Sequence, residues 1–239
     1  MSEDEPNGLE VALYLVPTPI GNKEDITVRA LRVLKSVDVI ACEDTRTTGR
    51  LLDLYGIRPS RLIAIHDHNE RGTAGIVVDA LREGHAVAYC SDAGSPAISD
   101  PGFFLVRSVI DAGMTVIPLP GATALIPALT ASGAPCMPFT FVGFAPHKKG
   151  RMTFLDAVVR KEETVVMYES PFRIAKLIDE LHVRCPDRQV CIAREISKVF
   201  EEFIRGSVRH VKDLLAARPP LKGEIVVILH GTRGDDPEF

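Results

Sequence analysis

The chain has 239 residues, 46% hydrophobic and 25% charged, enough to bury a sizeable core in one large domain or two small ones. A formal charge of -4 excludes indiscriminate binding to nucleic acid, which needs clustered Lys and Arg, but leaves room for a local basic patch. The acidic opening MSEDEPNGLE lacks the basic and apolar segments of a signal peptide, and no later apolar run is long enough to cross a bilayer, which predicts a cytoplasmic protein with no membrane partner. The cysteines at 42, 90, 136, 185 and 191 are odd in number, sit mostly in apolar segments and lack C-x-x-C spacing, so they read as reduced core thiols without metal.

In chain order, the first half repeats a short apolar run, a polar loop and a helical pattern, the phrase of a βα unit and therefore of a parallel sheet. The runs are Val11–Val16, Asp38–Cys42, Arg61–His66, Ala86–Cys90 and Met114–Pro118, with amphipathic segments such as Ile26–Ser36 and Glu70–Glu83 between them. The second half differs. After the Gly/Pro-punctuated span Gly133–Gly150 come a helix from about Arg151, a run Thr164–Tyr168, and Ser170-Pro171, which should open a helix as N-cap and first residue ahead of Ile174, Leu177, Ile178 and Leu181. Gln189–Arg194 and Val199–Arg205 lie too close for a crossover and predict antiparallel pairing, before a helix near Val208–Ala217 and a last strand Glu224–Leu229. The expectation is an α/β protein of two domains: residues 10–119 with a mostly parallel sheet and flanking helices, and 120–232 with a mixed sheet and helices. The polar tail GTRGDDPEF should fray.

Ligands of open α/β sheets sit beyond the carboxyl ends of the strands, so the loops leaving strands carry the functional argument. They are PTPIGN after the first strand, EDTR after the second, HDHNE after the third, SDAGSPAISDPG after the fourth and PGATA after the fifth. Rigid turns would explain the first, and helix capping by Asp44 or Thr45 the second, though not Arg46. Two histidines, two acids and an amide within HDHNE favour chemistry; a metal site there lacks a second ligand pair. Neither G-x-G-x-x-G nor G-x-x-x-x-G-K-[ST] occurs, so a dinucleotide enzyme or P-loop NTPase has no support. Backbone exposed by Gly and Pro, small hydroxyls and carboxylates suit a ligand with ribose hydroxyls, an amino group and a positive centre, such as S-adenosylmethionine.

The ordered set TPIGN, EDTR, HDHNE, SDAGSPAISDPG, PGATAL, YESPFR and ARE…EEFIRG, from about Leu13 to Leu229, resembles the tetrapyrrole methylase superfamily and within it the ribosomal RNA small subunit methyltransferase I family. The resemblance implies a two-domain tetrapyrrole methylase-like fold, a homodimer, and S-adenosylmethionine-dependent methylation of the 2'-oxygen of a cytidine in small-subunit rRNA, with the cofactor between the two domains. It implies cofactor contacts at Pro19, Asp92, Gly94, Ser95 and Ile98, where Gly94-Ser95-Pro96 looks like the superfamily's Gly-x-Pro turn, and at Thr123, Ala124, Met167, Ala193 and Glu224. Asp100 is a further acid beside the turn, and Phe172 stands where relatives often carry His, so it receives no catalytic role.

On this reading the proton acceptor is His68 or Glu43, with Asp44 orienting and Arg46 holding a phosphate or the base; capping or a local network is the structural alternative for each. His147-Lys-Lys-Gly-Arg151 with Arg205 and Arg209 is the best basic surface for rRNA. Two alternatives are a corrin-precursor C-methyltransferase and a non-catalytic rRNA-binding assembly protein.

Overall fold

The structure, a computed structural model, describes residues 8–66 and 69–232; His68 and all but the first two residues of the tail expected to fray lie outside the described residues. Residue contacts divide the chain into two compact units, the first ending at Thr123 and the second beginning at Ala124.

In the first unit five strands, β1 (Leu13–Val16), β2 (Val39–Cys42), β3 (Leu62–Ala64), β4 (Val87–Cys90) and β5 (Val116–Pro118), form a parallel sheet in the order β3-β2-β4-β1-β5. The expected runs are all present, each trimmed by a residue or more. β2 and β4 are buried along their whole length, as central strands covered on both faces must be. The pleat sorts their side chains: Tyr14, Val16, Ile40, Cys42, Ala88 and Cys90 pack with α1 (Val28–Ser36) and α2 (Thr45–Leu54), while Leu13, Val39, Ala41, Val87 and Tyr89 pack with α3 (Glu70–Arg82) and α4 (Phe103–Asp111).

The strand order explains that division. The steps β1→β2→β3 run one way along the sheet and β3→β4→β5 the other, and right-handed crossovers then place their helices on opposite faces. Adjacent strands β1 and β4 thus send their chains to opposite sides, which makes their carboxyl ends a topological switch point.

Capping fixes where the helices start. The Thr27 hydroxyl accepts from Ala30 N–H at 3.0 Å, a cap contributing about 1 kcal/mol, and the Asp44 carboxylate accepts from Arg46 N–H at 2.8 Å. The N-cap of α4 is Gly102, which has no side chain to offer. Its acceptor comes from α3: the buried Glu70 carboxylate takes N–H bonds from Gly102 and Leu105, both at 3.0 Å.

The second unit carries β6 (Phe139–Phe144), β7 (Thr164–Glu169), β8 (Gln189–Arg194), β9 (Glu202–Ser207) and β10 (Ile225–Leu229) in the order β6-β7-β10-β8-β9, with β6 and β7 parallel and the other pairs antiparallel. On one face lie α6 (Arg151–Val159), α7 (Ile174–Arg184) and α8 (Val208–Ala216), whose Leu155, Leu177, Ile178, Leu181, Val208 and Val211 are packed with Val165, Met167, Ile192 and Val227. On the other, α5 (Leu125–Ser132) packs over β10 and β8.

Three expectations are corrected. The helix predicted to open at Ser170-Pro171 begins at Ile174, because Ser170 instead closes a turn: its hydroxyl accepts from Phe172 N–H at 3.3 Å and its carbonyl from Arg173 N–H at 2.9 Å. The ninth strand starts at Glu202, not Val199, leaving Val199 and Phe200 93% and 68% exposed in the connection before it. A strand, β6, occupies the span read as Gly/Pro punctuation.

Replacing Glu70 with alanine leaves two buried N–H groups at the start of α4 without an acceptor, which should cost about 1–3 kcal/mol. In denaturant unfolding the midpoint should fall with the slope unchanged. A variant as stable as the parent would show that Glu70 does not hold this junction.

Candidate functional site

At the carboxyl edge of the first sheet the loops are laced to one another. Thr18 of the β1 loop and Gly94 of the β4 loop exchange two backbone bonds, N–H to carbonyl in both directions, each 2.9 Å. The buried Thr18 hydroxyl donates to Ser91 carbonyl at 3.1 Å, and Ser91 Oγ donates to Gly94 carbonyl at 3.1 Å. The β5 loop joins through Gly121, where an added Cβ would lie 2.8 Å from Pro17 Cβ, so only glycine fits. Ser95 Oγ donates to Ala122 carbonyl at 3.3 Å. Ser95, expected at the cofactor, thus spends its hydroxyl on tying two loops together.

Beyond Gly94 the β4 loop is strained. Ala97 and Ser99 adopt φ of 65° and 63°, a left-handed region costing non-glycine residues about 1–3 kcal/mol, and such conformations concentrate at ligand sites. Ala97 N–H bonds to Pro101 carbonyl at 3.2 Å, and that carbonyl also accepts from the Tyr89 hydroxyl at 2.9 Å. The curl leaves Ile98 and Ser99 exposed and Gly94 buried. Pro19 lies half-buried beside them on the β1 loop.

The β2 loop meets the β4 loop through carboxylates. Asp44 N–H donates to Asp92 Oδ1 at 3.1 Å, Asp92 N–H donates to Glu43 Oε2 at 3.4 Å, and Glu43 N–H donates to Cys90 carbonyl at 3.3 Å. Desolvation by the surrounding loops raises the Asp92 carboxyl above its ordinary value, and the nearby Asp44 charge adds to this. Asp44 goes the other way. Its side-chain bonds from Arg46, Nε at 3.2 Å and Nη2 at 2.9 Å, together with the Arg46 backbone N–H, hold it at about 2. Arg46 is nonetheless 83% exposed, so its guanidinium is oriented by Asp44 and still open to a ligand. Below this edge burial pushes the Cys42 thiol up to about 11 and the Cys90 thiol higher still, which rules out thiolate chemistry there.

Asn69 is structural, its Oδ1 accepting from His66 N–H at 2.8 Å and its Nδ2 donating to Ala64 carbonyl at 3.1 Å, and Glu70 caps α4. Among the described residues no group of three His, Cys, Asp or Glu is placed to hold a metal ion, and no helix is long and apolar enough to cross a membrane.

Thr123 ends the first unit, and Ala124, the first residue of the second, caps α5 without a side-chain bond. Met167 and Ala193 are fully buried on β7 and β8, so only backbone is on offer. Opposite Met167 the pairing of β6 slips between Phe141 and Phe144, a bulge with Gly143 at φ 64° that interrupts the ladder. Glu224 N–H donates to Glu195 Oε1 at 2.9 Å, and Glu195 N–H donates to Glu224 carbonyl at 2.9 Å. A Cβ on Gly223 would meet the Glu195 side chain, and the φ of 90° there is one that favours glycine. Burial opposes ionisation of Glu195, but the Glu224 N–H and Lys198 Nζ at 2.9 Å keep its carboxyl below the ordinary value.

Of the expected basic surface, Arg151 is withdrawn into the protein, while Arg205 and Arg209 stay exposed. Arg151 is 4% exposed, bound to Glu180 at 2.7 Å and to the fully buried Glu169 carboxylate at 3.5 Å, which Arg173 also holds at 2.6 Å. This paired, buried cluster pins the end of β7 to the starts of α6 and α7. Arg205 donates to the carbonyls of Ala131 and Ser132 at the end of α5, and Arg209 pairs with Asp187 at 3.0 Å. His147, Lys148 and Lys149 remain exposed.

The model of the tetrapyrrole (corrin/porphyrin) methylases matches residues 12–212. Among curated proteins the chain is similar to ribosomal RNA small subunit methyltransferase I of Mesorhizobium japonicum, at 48% identity over 92% of this chain and 75% of that protein. It is also similar to the proteins of that name from Vibrio cholerae (47%, over 95% and 80%) and Bacillus subtilis (41%, over 94% and 76%). Among solved structures, uroporphyrin-III-C-methyltransferase from Thermus thermophilus shares the fold at TM-score 0.63 and 22% identity, over 92% of this chain and 94% of that one. A cobalt precorrin-4 methyltransferase matches at TM-score 0.61 and 19% identity over 98% and 99%.

Replacing Arg46 with alanine removes the largest cause of the low Asp44 value, so that carboxyl should titrate well above 2, toward its ordinary 3.8, in an NMR pH titration. Because the folded value lies below the unfolded one, the pair stabilises the protein above pH 4 or so and the contribution disappears as pH falls toward 2. An unmoved Asp44 would mean that the backbone cap alone sets its acidity.

Proposed function

The chain belongs to the tetrapyrrole (corrin/porphyrin) methylase family and, within it, to the ribosomal RNA small subunit methyltransferase I family, and from that premise we propose that it methylates the ribose 2'-oxygen of a cytidine in small-subunit rRNA. The observation that carries the assignment of residues is the lacing of the Glu43-Asp44 loop to Asp92, which sets candidate acid–base groups beside the strained turn at the switch point.

S-adenosylmethionine is the methyl donor, and it supplies a methyl group activated by a sulfonium centre. The first unit suits it: Gly94, left-handed and bonded to Thr18, shapes the turn, Asp92 offers a carboxylate at its start, and Pro19 and Ile98 offer apolar surface on the two loops. Thr123, Ala124, Met167, Ala193 and Glu224 are further cofactor candidates, contributing backbone rather than side chains.

The chain's own work is alignment and proton removal. Holding the 2'-hydroxyl in line with the methyl group supplies much of the acceleration, since effective molarities in well-oriented reactions are large. Glu43 takes the hydroxyl proton, with His68 the alternative acceptor, and Arg46, steadied by Asp44, binds a phosphate or base edge through charge-assisted bonds. We also propose a homodimer, supported by the exposed apolar face of α4, where Phe103 and Ile110 are 65% and 55% exposed. Light scattering that reads a monomer at every working concentration would contradict this.

Small subunits from cells lacking the protein, incubated with purified protein and S-adenosylmethionine, should acquire one alkali-resistant linkage at a cytidine. Glu43→Gln should lower kcat by about a hundredfold or more with a much smaller change in KM for the subunit. Methylation of a nucleobase, or of a corrin precursor in place of rRNA, would overturn the reading.

A further inference from the structure

A cleft of about 510 Å³ opens from the same edge of the first unit, on the side of α2, with Ser91 and Asp92 among its lining. Its size falls within the roughly 300–1,000 Å³ of small-ligand sites. One wall is a single face of α2: Thr47, Arg50, Leu51 and Leu54 recur at i, i+3, i+4 and i+7. The other is the short turn Lys23–Asp25, capped by Asn22 and latched to the end of α2 by the Tyr55 hydroxyl, which donates to Lys23 carbonyl at 2.5 Å. The cleft is therefore built by hydrogen bonds and not left by loose packing.

Its chemistry is mixed in a particular way. Lys23 and Arg50 have no acidic partner among the described residues, whereas the acid Asp53 in the same wall is neutralised by Arg58 at 2.5 Å. The same lining carries apolar surface from Leu51, half-buried, and Leu54, 47% exposed. Two uncommitted cations beside an apolar strip suit a phosphodiester flanking an unpaired base: phosphates take the charges and a base face covers the leucines. Asp92, shared between this cleft and the carboxylate lacing, makes the two continuous.

Resting on the methyltransferase reading, we propose that this cleft seats the unpaired nucleotide next to the target cytidine, with Lys23 and Arg50 as its phosphate clamp. They are binding residues for the RNA strand and take no part in proton transfer.

The test compares the parent with the double variant Lys23→Ala, Arg50→Ala in methylation of small subunits across a salt series. Among the described residues neither side chain has an ion-pair partner, so folding should be unaffected, and a thermal melt checks it. The expected result is a KM for subunits raised about tenfold or more, kcat within a few-fold, and a salt slope shallower by about 1.4, on the scale of roughly 0.7 per lost phosphate contact with a single strand. Lys23→Arg with Arg50→Lys should restore most of the affinity. Unchanged KM and slope would overturn the proposal, as would a double variant that binds subunits normally but shifts in mass by light scattering, which would make the cleft a contact between copies. A parent protein that does not methylate small subunits would instead sink the functional reading itself.

Discussion

Two backbone hydrogen bonds between Thr18 and Gly94 hold together loops that the topology sends to opposite faces of the sheet. Without that bridge the switch point would be two independent loops. With it, the β4 loop is anchored at its start, while Tyr89 and Glu70 grip its end through Pro101 and Gly102. Anchoring at both ends allows Ala97 and Ser99 to be held in conformations that a free loop would relax. The same bridge brings Pro17 against Gly121 and Ser95 against Ala122, so three loops behave as one edge. Position of the chemistry follows from that rigidity, since misplacement of about 1 Å can cost a hundredfold in rate.

The second unit solves a similar problem with charge. Its mixed sheet lacks a parallel switch point, and the ends of β7, β8 and β10 are fixed by side chains: Glu169 between Arg151 and Arg173, and Glu195 beneath Gly223 with Lys198 alongside. Buried pairs of this kind are weak evidence of net stability but costly to break singly. Their value here is geometric, fixing backbone around the buried Met167 and around Glu224, whose own carboxylate meets Lys198 Nζ at 3.1 Å.

The parallel half was legible because β2 and β4 are apolar throughout and are separated by helices with clear periodicity; even the capping role of Asp44 was visible from its place before a helix. Where the reading missed, a nonlocal partner decided the outcome. Arg151 looked like the end of a basic run, but the acids that bury it lie on other elements, at Glu169 and Glu180. Glu70 belongs to a loop read for chemistry, and its carboxylate instead caps the start of α4. α5 is mostly apolar and shows no clear stripe, and β6 carries the Gly143 bulge that reads as a loop signal. The cleft beside α2 left no motif at all, because its walls come from segments joined by one tyrosine hydroxyl.

The central claim is a division of labour along one edge, with the β4 turn serving the cofactor and the β2 loop serving the RNA. Calorimetric titration of S-adenosylmethionine into Ser95→Phe and Glu43→Gln proteins, both checked for native melting, tests it most directly. The account predicts at least tenfold weaker binding in Ser95→Phe, through steric loss at the turn, and binding within a few-fold of the parent in Glu43→Gln. Cofactor affinity lost in Glu43→Gln and kept in Ser95→Phe would contradict it and assign the β2 loop to the cofactor.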